Sequence, residues 1–241
     1  MERLYDALVS DVLEAIVVDR DANKTYFFGL TTSNEISQTV ETEKLKAGIG
    51  NNTWAVMKNS KDMNVSVAYA AASDDLMMLQ TGSSFASRTV QVAVKETVEY
   101  KADGATIVGT PKGTTVTVIN AETGISQEGA FATGKVTIAT TPPADGTLVH
   151  VIYEKELASQ DVLVFDGTEF PKNVELHLHG IAKKDGIVVA DFYYVFFNAG
   201  ITGNFTKSFA NGAPDPETIE FELATKAGTS EYGFYTVVPR A

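Results

Sequence analysis

The sequence contains no cysteine, which excludes disulfides and thiolate metal sites. No apolar run approaches the ~20 residues that a membrane-spanning helix requires. Basic residues are scarce: 19 Lys and Arg stand against 31 Asp and Glu, for a formal net charge of −12. A chain with that balance does not wrap nucleic acid, because phosphate binding needs clustered cations, although it can border a polyanion without adhering to it. No Gly-x-Ser-x-Gly elbow is present, and Gly82-Ser83-Ser84 follows a helical stretch where a nucleophile turn would precede one. Neither Gly-x-x-x-x-Gly-Lys-Ser/Thr nor Gly-x-Gly-x-x-Gly occurs, so nothing indicates nucleotide binding. The N-terminal Met1-Glu2-Arg3-Leu4-Tyr5-Asp6 lacks the basic-then-apolar pattern of a secretory leader, and the expectation is a protein made and assembled in the cytoplasm.

What is present is core-forming material. Hydrophobic residues make up 44 % of 241, enough for a well-buried core in one domain, or in one domain carrying an insert. A charged fraction of 21 % is that of a folded chain. Leu4, Leu8, Val12 and Leu13 fit one or two helical turns, after which Ile16–Val18 and Thr25–Leu30 read as β-structure around the turn cluster Asp19–Asn23. Residues 34–60 read as a long hairpin. Ile36, Gln38, Val40 and Thr42 alternate with Glu35, Ser37, Thr39, Glu41 and Glu43; the loop Gly48-Ile49-Gly50-Asn51-Asn52 follows, and Thr53–Lys58 returns. One face of this hairpin is too polar for a core, and the hairpin is too long for an ordinary surface one. Asp62–Ala71 reads as a separate strand with Met63, Val65, Val67 and Tyr69 on one face. Ser73 as N-cap, Asp74 and Asp75 at the positive end of the dipole and Gly82 past the end bound the clearest helix.

From Arg88 to Leu157 only strands and turns appear: Thr89–Tyr100, Thr114–Ile119, Lys135–Ala139 and Leu148–Tyr153, punctuated by Ala102-Asp103-Gly104, Pro111-Lys112-Gly113, Glu122-Thr123-Gly124 and Ala144-Asp145-Gly146. Two readings stand: a small β-subdomain inserted at about 97–155, or strands of the main sheets. Val162–Phe165, Val174–Ile181 and Ile187–Phe197 follow, the last two joined by the tight turn Lys183-Lys184-Asp185-Gly186. Ile187–Phe197 is apolar on both faces, as a central strand covered on both sides would be. A turn-rich linker ending at Pro216 then releases Thr218–Leu223, with Ile219, Phe221 and Leu223 on one face and Thr218, Glu220 and Glu222 on the other.

Candidate chemistry is thin. His177 and His179 share a strand face and would make a metal pair with His150 or Glu175 as third ligand; the same pattern describes a half-exposed polar face. Asp19, Asp21 and Asn23 match the first positions of a calcium loop, but the Gly and distal Glu do not follow, so the segment reads as a hairpin turn. Glu220 and Glu222 would serve a glycosidase only in a cleft walled by aromatics, and the lone Trp54 supplies none. No metal or cofactor is expected. What remains is strand faces of carboxylates without a catalytic partner, and such faces repel polyanions.

The order of the pieces is what identifies the chain: the polar hairpin around Gly48–Asn52, strand 62–71, the short helix ending Leu79-Gln80-Thr81-Gly82, the segment Gly134–Tyr153, then His177–Phe197 with Asn198–Gly203 and the terminal Glu217–Thr225. In that order and pattern, over most of its length, the chain resembles the tailed-bacteriophage major tail proteins, the subunits of the tail tube. The resemblance implies an all-β subunit, a β-sandwich or split barrel with one short flanking helix and long hairpins that form an inner tube wall. It implies hexameric rings stacked into a hollow tube, with tape-measure, initiator or baseplate and terminator proteins as partners besides further copies. It implies further that DNA transits the lumen without specific binding, that no membrane is involved, and that the subunit belongs to the virion tail. The role so implied is structural, not enzymatic. Glu35, Ser37, Thr39, Glu41, Thr218, Glu220 and Glu222 are expected to line the lumen, and Gly48, Ile49, Gly50, Asn51 and Asn52 to contact the next ring. Ring closure removes edge strands, and a negative wall lets DNA slide. Tubes of contractile injection and secretion systems fit the same pattern. A capsid decoration or spike protein has no need of a lumen wall, and a carbohydrate-binding or adhesive β-protein would display clustered aromatics beside Asp or Asn.

Overall fold

The computed structural model describes residues 8–9, 12–47, 51–70, 73–207 and 216–240. The chain divides into two compact units, Met1–Ser84 with Val164–Ala241, and Phe85–Leu163. In chain order the first unit supplies β1 (Leu8–Val9), β2 (Glu14–Asp19), β3 (Lys24–Phe28), β4 (Thr31–Ala47), β5 (Asn52–Tyr69) and α1 (Asp74–Thr81). The second supplies β6 (Phe85–Lys101), β7 (Gly104–Thr106), β8 (Thr115–Asn120), β9 (Ser126–Ala132), β10 (Lys135–Thr137) and β11 (Thr147–Leu163). The first then resumes with β12 (Asn173–Lys184), β13 (Ile187–Ile201), β14 (Glu217–Leu223) and β15 (Gly233–Pro239).

The first unit is built on one antiparallel sheet in the order β3-β2-β12-β13-β14-β5-β4, with β1 added to β12 and β15 to β13. Only Gly29 and Leu30 separate β3, at one end of that order, from β4, at the other, so the sheet curls back on itself. The seam is stitched by the Thr31 hydroxyl donating to the Leu13 carbonyl and by the Leu13 N–H donating to Asn34 Oδ1, both at 2.7 Å. Strict alternation on β2, β12 and β14 sends Ala15, Val17, Leu176, Leu178, Ile219 and Phe221 inward, where they meet Phe28, Val65 and Val67 in one core. Each such fully buried side chain contributes about 1.5–3 kcal/mol. Helix α1 covers this core with Leu76 and Leu79, and Gln80 Nε2 donates to the Thr218 carbonyl at 3.1 Å, fastening the helix to β14. This is the expected all-β split barrel with one short flanking helix.

Several local expectations change. Thr53–Lys58 and Asp62–Ala71 are not two strands: β5 runs unbroken through 18 residues, because bulges absorb the register change instead of a turn. The helical turn expected at the N-terminus falls largely outside the described residues, and Leu8–Val9 is strand, paired with Ala182 and Lys183. Ser73 occupies the N-cap but its side chain makes no capping bond; its carbonyl accepts Met77 N–H at 3.1 Å. Gly82 closes the helix in the left-handed region at φ 73°, with its N–H on the Met78 carbonyl. The turn Asp185-Gly186 joins β12 to β13 with both residues at positive φ, as anticipated for a tight hairpin.

The second unit is a closed barrel in the order β10-β7-β6-β11-β8-β9. Its limits, 85–163, enclose the span 97–155. Tyr100, Val116, Val118, Val136, Val149 and Val151 fill it. The short β7 and the whole of β9 are strands additional to those read from the sequence. Closure leaves the barrel no free edge. The Glu96 carboxylate accepts the N–H groups of Val108 and Gly109, both at 2.8 Å, and the Tyr153 hydroxyl, so it fixes the loop after β7. Burial and the neighbouring Glu96 push the Tyr153 phenol up to about 12.

Candidate functional site

All seven residues expected on a polar wall lie on one face of one sheet. β5 lies between β4 and β14, and its register aligns them in rows. Glu35 and Glu220 both flank Ser66; Ser37 and Glu222 both flank Asn64; Thr218 flanks Ala68. The face continues along the hairpin with Thr39 opposite Asp62 and Glu41 opposite Ser60. The opposite face of the same strands carries Val65, Val67, Ile219, Phe221 and Leu223 into the core, which leaves the polar residues no choice of side. Strands two apart are about 10 Å apart, close to a Debye length at moderate salt, so these carboxylates coexist without a large repulsion penalty. Between them lies an open groove of about 330 Å³ lined by Glu35, Ser37, Asn64, Ser66, Glu220 and Glu222. Among the described residues none of Glu35, Glu41, Glu220 and Glu222 has an ion-pair partner. Asn64, Ser66 and Asp62 were not singled out from the sequence, although their alternation with Met63, Val65 and Val67 is the signal that places them.

Of the expected loop residues, Gly48, Ile49 and Gly50 lie outside the described residues. Asn51 sits in the turn at φ 53° and Asn52 opens β5.

The two histidines of β12 share a face with charges from four other segments. Arg20 holds Glu175 through Nε and Nη2, both at 3.0 Å, and His177 Nε2 lies 2.7 Å from the same carboxylate. His179 stands between Glu14, 3.2 Å from Nδ1, and Asp191, 3.1 Å from Nε2, with its ring stacked on Tyr193. Arg240 forks onto Asp191 at 2.7 and 2.6 Å. His150 belongs to the second unit, where Nδ1 is 2.9 Å from the Thr97 hydroxyl. The histidines of β12 are therefore hydrogen-bonded to carboxylates, and among the described residues no group of three His, Asp or Glu side chains could hold a metal ion. Asp19 accepts the Ala22 N–H at 2.9 Å inside the β2–β3 turn, in keeping with the hairpin-turn reading of that segment.

Burial opposes a charge on His179, but the hydrogen bonds and charges of Asp191 and Glu14 outweigh it and raise its pKa above the ordinary histidine value. The Arg240 fork and His179 hold Asp191 down at about 2. A raised folded-state pKa adds stability that is complete below the unfolded value and is lost as pH rises through the folded one. Thermal melts should therefore show wild type losing ground to His179→Asn as pH rises from 6 to 8. Parallel melting curves across that range would remove His179 from the balance.

Among the described residues this arrangement pairs its histidines with carboxylates that two arginines also hold. It offers one negative, unpaired sheet face and one charge-compensated face. Among known proteins, the model of the YomU/Tube protein family matches residues 7–238. The chain is similar to the "Tail tube protein" of Bacillus phage SPR, with 25 % identity over 230 residues, covering 93 % of this chain and 86 % of that protein. It is also similar to the SPbeta prophage-derived uncharacterized protein YomU of Bacillus subtilis (strain 168), with 29 % identity over 140 residues, 58 % of this chain and 52 % of that one. A family match over nearly the whole chain, on an all-β fold with its polar residues sorted to one side, places the protein in the YomU/Tube family.

Proposed function

We propose that the chain is the structural subunit of a phage tail tube, assembling with copies of itself into stacked hexameric rings whose negative lumen lets DNA pass. The observation that carries this reading is the alignment of Glu35 with Glu220 and of Ser37 with Glu222 across β5, which gathers unpaired carboxylates onto one long face. β4 has 17 residues and spans about 55 Å, far more than the part that covers the core. Such a ribbon suits a wall continued from copy to copy. DNA beside it meets fixed negative charge and no clustered cations, so it slides without binding. The subunit works in the virion tail after assembly in the host cytoplasm, alongside tape-measure, initiator and terminator proteins. The 85–163 unit is inserted in the chain between α1 and β12.

Residues 48–52, at the hairpin tip, make the axial contact in this reading. Replacing them with a short Gly linker should leave a folded, soluble monomer that no longer polymerises, as read by circular dichroism and by negative-stain microscopy of the purified protein. Tubes of normal length and spacing from the shortened protein would move the axial contact elsewhere, with residues 1–13 the next candidate.

A further inference from the structure

The distal half of the β4–β5 hairpin has a second face that the tube-wall reading does not use. β4 alternates without interruption from Ser33 to Ala47, so Lys44 and Lys46 lie on the side of Ile36, away from Glu35. Lys61 reaches that side by plain alternation with Met63 and Val65, and a bulge on β5 brings Lys58 to it. Ser60 pairs with Glu41 but Lys58 pairs with Thr42, which leaves Asn59 as an extra residue; a second shift between Leu45 and Lys46 leaves Trp54 extra. Lys61, opposite Val40, and Lys58, opposite Thr42, therefore share the side of Lys44 and Lys46, while Glu41 and Glu43 take the other. Toward the tip the core has ended, and Val40, Val56 and all four lysines are exposed. Lys61 is partly engaged, its ammonium 5.9 Å from the Tyr232 ring centroid, whereas Lys44, Lys46 and Lys58 have no ion pair among the described residues.

We propose that this lysine face is the docking surface for a second copy of the chain, held by carboxylates of that copy around the apolar contact of Val40 and Val56. The inference rests on the tube reading and names the surface by which the hairpin grips its neighbour. Charge complementarity selects the occupant: four cations stand together on one ribbon face of a chain whose formal net charge is −12. Averaged over its surface, the copy that it meets is acidic. A duplex fits less well, because the ribbon is one strand layer thick and Glu41 and Glu43 lie behind the lysines within a Debye length. The arrangement also orients the ribbon, since its carboxylate face would be repelled by the same neighbour.

The test is assembly of the full-length protein followed by light scattering and microscopy, comparing wild type, Lys44→Glu/Lys46→Glu/Lys58→Glu, and the same three positions changed to Arg. The Glu variant should remain folded by circular dichroism and need a protein concentration about tenfold higher or more to form tubes. The Arg variant should assemble as wild type does, and wild-type assembly should weaken as salt approaches ~1 M, where screening falls to about 3 Å. If the Glu variant assembles at the wild-type concentration into normal tubes, the lysine face is not the docking surface, while the tube reading stands. If wild type retards duplex DNA at low salt, the Glu variant does not, and both assemble alike, the face binds phosphate and the proposal is overturned. If wild type stays monomeric throughout, the tube reading and this inference fall together. If the Glu variant is unfolded, the neutral change of the three lysines to Gln replaces it, with the same two outcomes deciding.

Discussion

If the proposed lumen wall is right, phage whose tail subunits carry Glu220→Lys and Glu222→Lys should build tails of normal length and deliver their DNA poorly. Both side chains are exposed on the open face of β14, opposite the buried Ile219, Phe221 and Leu223, so reversing them leaves the core untouched. Surface changes of that kind cost within about 0.5 kcal/mol of folding stability. In the proposed wall they would convert a repelling pair into two phosphate ligands, repeated in every subunit. Affinity for a polyanion grows with each cation presented, and passing DNA is slowed or trapped. The expected readout is a drop in infectivity on the order of tenfold or more with intact tails by microscopy, relieved at high salt in an ejection assay in vitro. Normal infectivity with the double variant present in the tail would mean that DNA does not pass along this face.

Phe221→Ala acts on the other side of the same strand. Phe221 is 1 % exposed, pairs with Val65 across β14–β5 and with Ile201 across β13–β14, and is among the largest fully buried side chains. Truncating it leaves a cavity where the sheet curls back on itself, and the loss should be about 3–5 kcal/mol. Domains of this kind are stable by only about 5–15 kcal/mol, so urea unfolding should show a large drop in midpoint. The contrast between neighbouring positions is the point: 220 and 222 tolerate a charge reversal, whereas 221 does not tolerate a lost ring. A Phe221→Ala protein within about 1 kcal/mol of wild type would mean that β14 does not carry the core.

That contrast was legible because Thr218–Leu223 and Glu35–Glu41 alternate with no interruption, and an unbroken period of two assigns every side chain to a face. That the two stretches share one face was not legible. They lie some 180 positions apart and meet only through β5, a pairing set by the curl of the sheet and not by any local signal. The lysine face was hidden for a different reason. By simple alternation Lys58 belongs with Ser60 and Asp62; the extra Asn59 moves it across, and bulges of this sort leave no consistent mark in a single sequence. The short helix was marked by Asp74, Asp75 and Gly82, whereas the capping bond expected of Ser73 is not made. In the second unit the closed barrel also needs β7, at three residues too short to show a period, and β9, whose apolar alternation is broken at Gly129. His177 and His179 stand out as a pair in the sequence, yet Glu14 and Asp191 beside His179, and the arginines Arg20 and Arg240 that hold Glu175 and Asp191, come from distant parts of the first unit and meet only on folding.

The most direct measurement is a cryo-electron microscopy reconstruction of tubes assembled from the purified protein. The account requires a hollow tube of stacked six-membered rings, with the carboxylates of Glu35, Glu41, Glu220 and Glu222 pointing at the axis across a water-filled lumen. A tube in which these side chains face outward, or are buried between subunits, would contradict it.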